Sequence, residues 1–524
     1  MKETLNKALG FHTSGNREKQ QKREAGMQQI SGRKPSNKLG AQLIYGMAEF
    51  SGGGAFVIIN TFFTVFMTKA LGMPAALAAF IPLIGHVWDA VTDPIMGNIV
   101  DRSKSKFGPK RFYILVGGLL TSVAFVLLWL TIPTDNIAAE FVFYVLMYVL
   151  FSTAFTIIMV PYNGLLPDMI DDYAMRSRFS NVRMLWSTFG SMVSGLVPSL
   201  MIKDNTDASS YLRVALLFAV LYGLTSVGTF AGTWEKQKEP VKTSLGESFV
   251  QAASVFKSRS FRIFVGIYLT GQCGMDFVSG MAVYYVDDVL NGYSKGYLTY
   301  LMAIILIAQL IGMLIFGPVM AKTSKRTTIL IGAPIRIAAM LGLLFFSYEG
   351  ANIIPVLILT FFVGLGNAAT LTSIFAIMAD MADVDELVTS VRRPGTVSGM
   401  ATFARKISSG LSAACIGWLI AAVGYDSGLA SQGLRQSAFT QHGIALIYIF
   451  VPVILVAGLF ALGLRFPIQR HEFEVIQKDI ARRKGEELSA ATEEEKKICE
   501  RVTGIAYDQL WNTDNMKFSK KAKG

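Results

Sequence analysis

The chain has 524 residues, of which 52% are hydrophobic and only 16% are charged, against roughly 25% charged residues in soluble domains. This composition excludes an ordinary soluble protein. Because one helical span needs about 20 apolar residues, the hydrophobic content allows at most roughly 13 spans and indicates a polytopic membrane protein. The formal net charge of +12 is typical of the basic cytoplasmic loops of such proteins, so we expect no nucleic-acid partner.

Three cysteines, Cys273, Cys415 and Cys499, lie too far apart to indicate a disulfide framework, a zinc site or a metal cluster. The nucleotide-binding pattern G-x-x-x-x-G-K-[ST] does not occur. We therefore expect no cofactor and no enzymatic activity. Uphill transport would then need an ion gradient, which favours a secondary carrier over a pump.

The first 40 residues are polar, with nine Lys/Arg and three Glu, and include no apolar run of signal-peptide length. We expect a cytoplasmic basic tail without fixed structure.

Twelve apolar stretches, bounded by Gly, Pro or charged residues, follow this tail. They predict membrane-spanning helices at 41–68, 75–100, 112–132, 139–166, 182–202, 211–233, 262–289, 297–320, 327–347, 352–379, 396–424 and 443–466.

The loops between these stretches differ in charge. Alternate loops, at 101–111, 167–183, 234–262, 321–326 and 380–395, hold nineteen Lys/Arg, whereas the intervening loops hold four. Since basic loops stay on the cytoplasmic side, both termini are predicted to be cytoplasmic in a multi-pass protein of the plasma membrane. The lipid bilayer is then a partner, and no oligomer is required.

The longest internal loop divides the chain. It predicts six-helix bundles at 41–233 and 262–466, a central cytoplasmic loop at 234–261, and cytoplasmic tails at 1–40 and 467–524. The pattern D-M-x-D begins at Asp168 after the fourth span and again at Asp380 after the tenth. This repeat indicates an all-α membrane protein of two pseudo-symmetric bundles around a central cavity, with both aspartates as gating candidates.

The C-terminal tail contains helix-like runs from Glu472 to Lys484 and from Glu493 to Arg501. Its mixed charge favours a solvated amphipathic tail over a dedicated binding domain.

Ionisable residues inside spans are costly and usually functional. Asp89 and Asp93 stand at i and i+4 of the second span, so their carboxylates project from one helix face. Two such carboxylates repel unless a proton or cation lies between them. The pair therefore predicts a site for Na⁺, H⁺ or Li⁺, to which Thr92 or a backbone carbonyl near Pro94 adds oxygen ligands. The alternative is a structural salt bridge to another helix.

Lys406 in the eleventh span is the candidate counter-charge for this site, whereas its neighbour Arg405 is expected to snorkel to the cytoplasmic interface. Glu49 in the first span lies among glycines and could bind substrate hydroxyls; its alternative is an interfacial position. A relay or packing role stays open for His86, and the roles of Asp276 and Arg336 stay open as well.

The loop after the second span runs from Gly97 to Arg111. Asp101 in this loop can pair with basic groups of a neighbouring helix end, and Arg102 belongs to the basic set that holds the loop in the cytoplasm. We predict that this loop is a conformational latch between cytoplasmic helix ends.

These residues resemble the glycoside–pentoside–hexuronide:cation symporters of the major facilitator superfamily, which include the melibiose and glucuronide carriers. The similarity covers about residues 38–466. Its most specific part is Trp88 to Gly97, which matches W-D-A-x-x-D-P-x-x-G, followed by a D-R-x-x-S-x-x-G loop. Supporting parts are Tyr45-Gly46 with Glu49, Pro161-Tyr162 before Leu165-Leu166-Pro167, and Arg393-Pro394-Gly395.

The resemblance implies the major facilitator fold with 12 helices and assigns roles to individual residues. Asp89 and Asp93 would bind the coupling cation, with an oxygen from Thr156. Lys406 would face that site, Thr402 would lie near the sugar path, and Arg183 would act as a cytoplasmic-side gate.

Departures from the family pattern concern the substrate. Gly53 and Met159 stand where the melibiose carrier has sugar-binding acids, and Asn163 replaces a tryptophan that often stacks on the sugar. These three positions remain substrate-binding candidates, but an α-galactoside specificity does not carry over.

The predicted function is cation-coupled symport of a glycoside, pentoside or hexuronide by alternating access. The alternative is a carrier of the same fold for a non-sugar organic or lipid-like solute. A third possibility, a non-transporting membrane scaffold or sensor, would depend on the long tails.

Overall fold

The computed structural model of the chain describes residues 30–32, 36–134, 136–170, 173–236 and 252–516. Twelve long helices occur in the described ranges, at the positions of the predicted spans. The first six are α1 (Leu39–Ala70), α2 (Phe80–Arg102), α3 (Pro109–Leu127), α4 (Ile137–Met169), α5 (Tyr173–Met201) and α6 (Ala208–Gly232). The next six are α7 (Arg259–Tyr284), α8 (Tyr297–Lys322), α9 (Lys325–Gly342), α10 (Ile353–Thr389), α11 (Pro394–Ala422) and α12 (Ala438–Arg465).

Nine helices in the described residues are long and apolar enough to cross a membrane. The other three, α5, α7 and α11, carry charged residues in their interiors, among them Arg183, Asp276 and Arg405. Such residues lower the mean hydropathy of a span and mark functional positions. The all-α architecture is confirmed, while the count of twelve spans stays a prediction.

The helix packing repeats between the two halves of the chain. In the first half α1 packs on α5, α2 on α4, and α3 on both α4 and α6. In the second half α7 packs on α11, α8 on α10, and α9 on both α10 and α12. The halves meet through α2 against α11, α5 against α8, and α1 against α7. Each contact pattern maps onto its partner by a shift of six helices, as expected for a parallel repeat.

The two ends of the helix bundle differ in charge. We call the end with the basic loops, such as 101–111 and 321–326, the basic end, and the other the opposite end. At the opposite end α1 finishes in the π-helical segment Phe66–Ala70. α7 continues without a break past Tyr284 into the segment Tyr285–Val289, which we call its π-helical end. π-Helical turns are rare and occur frequently at functional sites.

Several helices extend past the predicted spans. The largest extension is in α10, which runs to Thr389, ten residues beyond the predicted end. Its last turns carry acidic side chains, which the apolar pattern could not include. Three of them, Asp380, Asp385 and Glu386, are buried. Tertiary contacts therefore continue the helix where hydropathy alone predicts a loop.

Part of the N-terminal tail is ordered. The strand β1 (Ile30–Gly32) pairs antiparallel with β2 (Trp234–Lys236), which follows α6. In β2, the carboxylate of Glu235 accepts hydrogen bonds from the backbone N–H groups of Lys110 and Arg111 at the start of α3, where a negative charge stabilises a helix. Residues 1–29 lie outside the described residues, so the expectation for them stays a prediction.

The C-terminal tail is folded onto the second half. It forms α13 (Arg470–Lys484) and α14 (Glu493–Thr503), both opened by a capping box. The predicted amphipathic character is present, but the apolar face is packed rather than solvated. Its buried side chains, with those of α7 and α10, form one cluster: Val475, Ile476, Ile480, Ile498, Val502, Phe261, Val384 and Leu387.

Candidate functional site

The helix α2 places the two predicted acids one turn apart and faces them towards α4. Asp89 is completely buried. The hydroxyl of Thr156 donates a hydrogen bond to Oδ1 of Asp93 at 2.8 Å and lies 3.4 Å from Oδ1 of Asp89. One hydroxyl thus joins both carboxylates, and Oδ2 of Asp89 has no hydrogen-bond partner among the described residues.

Lys406 reaches this pair from the other half of the molecule. Its Nζ atom on α11 lies 2.6 Å from Oδ2 of Asp93 on α2. The ammonium and the hydroxyl of Thr156 therefore hold the two oxygens of one carboxylate. We call Asp89, Asp93, Thr156 and Lys406 the acid-pair site.

Thr92 does not join the acid-pair site. Its hydroxyl donates to the backbone carbonyl of Trp88, one turn back along α2. The expectation that Thr92 adds a ligand is therefore not met in this conformation, because the side chain bonds to its own helix. Pro94, however, lies inside α2 and has no N–H for the carbonyl of Ala90, which leaves that carbonyl available as an acceptor.

Glu49 and Arg183 form the second polar group of the first half. Nε of Arg183 on α5 donates to Oε2 of Glu49 on α1 at 2.6 Å, and its Nη2 donates to Oδ1 of Asn163 on α4 at 2.5 Å. The guanidinium also lies over the ring of Tyr162, 4.8 Å from the centroid. The structure thus brings three predicted residues of one half together, with Glu49 and Arg183 half-buried and Asn163 exposed.

Gly53 and Met159 have packing roles in this structure. A Cβ atom at Gly53 would collide with Ser187 of α5, so α1 and α5 approach too closely there for a side chain. Met159 of α4 lies against Gly52, which precedes Gly53 in α1, and its side chain is partly buried against the core. Gly53 is half-buried and close to α5, so only its backbone could face a substrate; its assignment to the substrate site stays a prediction.

Two predicted residues stand apart from these groups. Thr402 is exposed on α11, one turn before Lys406. Arg102 is exposed at the end of α2, and the side chain of Asp101 lies outside the described residues. The proposed latch at Asp101 therefore stays a prediction.

The two aspartates of the repeated D-M-x-D pattern make equivalent ion pairs at the basic end. Lys110, in the first turn of α3, pairs with Asp168 at the end of α4. Lys325, in the first turn of α9, pairs with Asp380 near the end of α10. The sequence repeat predicts the two aspartates as gating residues but does not indicate their lysine partners. A signal for the lysines is present, because each lies in the first turn of the third helix of its half.

Arg405 is paired inside the second half. Its Nη2 donates to Oδ1 of Asp276 on α7 at 2.8 Å, and both side chains are largely buried. The predicted snorkelling of Arg405 is therefore wrong: a carboxylate within reach satisfies the charge inside the bundle. Arg336, fully buried on α9, donates to Oδ1 of Asn367 and to the carbonyl of Gly271.

His86 is a packing residue in this structure. It is buried and stacks on Phe56 with ring centroids 5.4 Å apart. Among the described residues neither ring nitrogen has a hydrogen-bond partner. Of the two interpretations left open, the geometry favours packing over a proton relay. The hydrogen bond expected for a packed histidine is absent among the described residues.

Comparisons with known proteins agree with this architecture. The sequence family described as "MFS/sugar transport protein" matches residues 44–470. The isoprimeverose transporter of Lactiplantibacillus pentosus is 24% identical over 435 residues, covering 80% of this chain and 87% of the relative. The inner membrane symporter YicJ of Escherichia coli (strain K12) is 22% identical over 444 residues, covering 84% and 94%.

A solved structure with a similar fold is that of a D-xylose–proton symporter, with a TM-score of 0.55 and 15% identity. The match covers 80% of this chain and 96% of that one. It supports the major facilitator fold. Because the matched family is one of transporters, the prediction that the chain is not an enzyme is confirmed. The chain belongs to the MFS sugar-transport family, in agreement with its resemblance to the glycoside–pentoside–hexuronide:cation symporters.

Proposed function

We propose that this protein is a cation-coupled symporter that imports a glycoside, pentoside or hexuronide by alternating access. The observation that carries the proposal is the acid-pair site, in which Lys406 of one half bonds Asp93 of the other at 2.6 Å. The ammonium of Lys406 balances the charge of Asp93, as a small coupling cation would do in its place. The coupling ion is Na⁺, H⁺ or Li⁺.

The chemistry of the acid-pair site suits a small cation. The carboxylates of Asp89 and Asp93 and the hydroxyl of Thr156 supply only oxygen ligands, which hard cations prefer. A bound cation would neutralise the acids and release Lys406 from Asp93. Since Lys406 belongs to the other half, the exchange would couple ion binding to the relative position of the halves.

The sugar site is proposed around Glu49, Arg183 and Asn163. Arg183 donates hydrogen bonds to both Glu49 and Asn163. Together the three side chains offer the donors and acceptors that sugar hydroxyls need. In this proposal Thr402 and Lys406 of α11 would line the sugar path from the second half. Met159 contributes shape, whereas Gly53 contributes close helix packing.

The remaining expectations follow the same proposal. The protein would lie in the plasma membrane with both termini cytoplasmic, and a single chain in the bilayer would suffice. The paired residues Asp168 and Asp380, with Asp101 and Arg102, would hold the cytoplasmic helix ends during the transition.

A thermal-shift screen of the purified protein tests this function. The probes are isoprimeverose, a methyl xyloside, a glucuronide and a short-chain lysolipid, each with and without Na⁺ and Li⁺ and at two pH values. The proposal expects stabilisation by one sugar that increases with one cation. Stabilisation by the lysolipid alone would instead support the non-sugar carrier, and a sugar response that no cation or pH change affects would contradict coupling.

A further inference from the structure

A buried lysine joins the two halves at the opposite end of the bundle. Lys69, in the π-helical end of α1, is only 2% exposed. Its Nζ atom lies 2.5 Å from Asp287 and 2.8 Å from Asp288, both in the π-helical end of α7. An ion pair this well buried is strongly destabilised when one partner is removed, because the remaining charge is left without compensation.

Further contacts across the halves surround this lysine. Nδ2 of Asn205, in the loop after α5, donates to Oδ2 of Asp287 at 2.7 Å. The hydroxyls of Thr68 and Tyr284 lie 2.7 Å apart, and Nζ of Lys69 lies 5.8 Å from the centroid of the Tyr284 ring. Polar groups of α1, α5 and α7 therefore converge on one small volume.

The ion pairs at the basic end are arranged differently. Lys110–Asp168 lies within the first half, and Lys325–Asp380 lies within the second. These pairs stiffen each half but do not hold the halves together. The ion pair of Lys69 joins the two halves, so it stabilises the molecule only while the opposite end is closed.

We propose that Lys69, Asp287 and Asp288 form an ionic lock that closes the opposite end of the transporter and must break once in each transport cycle. A cavity of about 350 Å³ adjoins the lock and is lined by Lys203, Asp204, Asn291 and Tyr293. Water in this cavity solvates the separated charges as the halves part, which keeps the barrier to opening low enough for repeated cycles.

The lock and the acid-pair site are two separate connections between the same halves. Lys406 extends from the second half to Asp93 of the first, whereas Lys69 extends from the first half to Asp287 and Asp288 of the second. When a cation displaces Lys406 from Asp93, one of these two connections is lost. The closed conformation of the opposite end then depends more strongly on the ion pair of Lys69. This last step rests on the proposed cation coupling, and the opening of the lock in each cycle rests on the proposed alternating access. The ion pair that joins the halves rests on neither.

Distance measurements between spin labels test the lock without any substrate. The labels are placed at Ile137 and Phe439, which are exposed in the first turns of α4 and α12, both at the opposite end of the bundle. The background is the full-length chain with its three cysteines replaced by alanine. Lys69→Glu is expected to raise the ratio of long to short distances about tenfold, a shift equivalent to about 1.4 kcal/mol. The swapped variant Lys69→Asp/Asp288→Lys is expected to restore the parent distribution.

The matched control is Arg213→Glu. Arg213 pairs with Asp207 at 3.2 Å within the first half, at the same end of the bundle, so its reversal should leave the distances unchanged. If Lys69→Glu does not fold, the milder pair Asp287→Asn/Asp288→Asn provides the comparison. A folded lock variant with the parent distance distribution would overturn the proposal. Because the readout needs neither sugar nor cation, it fails or succeeds separately from the symport function.

Discussion

Nζ of Lys406 lies 2.6 Å from Oδ2 of Asp93, although the two residues are 313 positions apart and belong to different halves. Under the proposed function, the ammonium would compete with the coupling cation for this carboxylate. We expect Lys406→Gln to lower the cation concentration needed for half-maximal binding by about tenfold, since a tenfold change corresponds to only about 1.4 kcal/mol.

Tryptophan fluorescence titrated with NaCl, LiCl and acid would measure this affinity. Lys478→Gln is the control, because Lys478 pairs with Glu495 in the C-terminal tail, remote from the acid-pair site. Unchanged or weaker cation binding in Lys406→Gln would show that the ammonium does not compete.

The pair formed by Glu49 and Arg183 predicts strong coupling between the two positions. Removing one partner leaves a largely buried charge unsatisfied, which costs roughly 1–3 kcal/mol. Glu49→Gln and Arg183→Gln should each lower the melting temperature and weaken sugar binding. The double variant should lose clearly less than the sum of the two, as expected for residues in contact. Additive losses in a double-mutant cycle would mean that the pair does not act as a unit.

The ion pairs at the basic end predict rescue by charge exchange. Lys325→Asp should lower the thermal stability because it places a second acid beside Asp380, and Lys325→Asp/Asp380→Lys should recover most of the loss. The matched control is Lys322→Asp, an exposed position at the end of α8, which should change little. Equal destabilisation by both single variants, without recovery in the exchange variant, would count against the pair.

The docked C-terminal tail predicts a protected thiol. Cys499 of α14 is fully buried, and this burial raises the pKa of its thiol to about 12, so at neutral pH almost none of the reactive thiolate forms. Ile480→Asp introduces a charge into the apolar contact between tail and bundle, where Ile480 is 5% exposed. Undocking should let the pKa fall towards its ordinary value.

Maleimide labelling at Cys499, followed by peptide mass spectrometry, measures this change. Ile480→Asp should label at least several-fold faster than the parent. Leu488→Asp carries the same substitution at a position that is 96% exposed and should label at the parent rate. Equal rates in the two variants would indicate that the tail is not held by this contact.

The sequence was informative where hydropathy and charge act locally. Span positions follow from apolar runs, and the spacing of Asp89 and Asp93 predicts two carboxylates on one helix face because helical periodicity is a local property. The burial of Asp89 and its link to Thr156 depend on how α2 packs against α4, which no local pattern contains.

The sequence did not reveal ion-pair and packing partners that lie far apart in the chain. Hydropathy places Lys69 in a loop, yet it is buried at the end of α1 between two acids of the other half. Arg405 was expected at the interface because isolated arginines snorkel, but Asp276 on a neighbouring helix retains it. The docking of the tail was missed for a similar reason, since its apolar residues become a binding face only beside the ends of α7 and α10.

The most direct test of the central claim is gradient-driven sugar uptake in proteoliposomes that contain the parent or Asp93→Asn. For the parent, an inward gradient of the coupling cation should drive accumulation of the sugar above its external concentration. Asp93→Asn should abolish this accumulation, because a neutral amide cannot balance the charge of the coupling cation. It should retain sugar exchange at equilibrium, because the substitution leaves the sugar site intact. Full uphill uptake by Asp93→Asn would contradict the assignment of the acid-pair site as the coupling site.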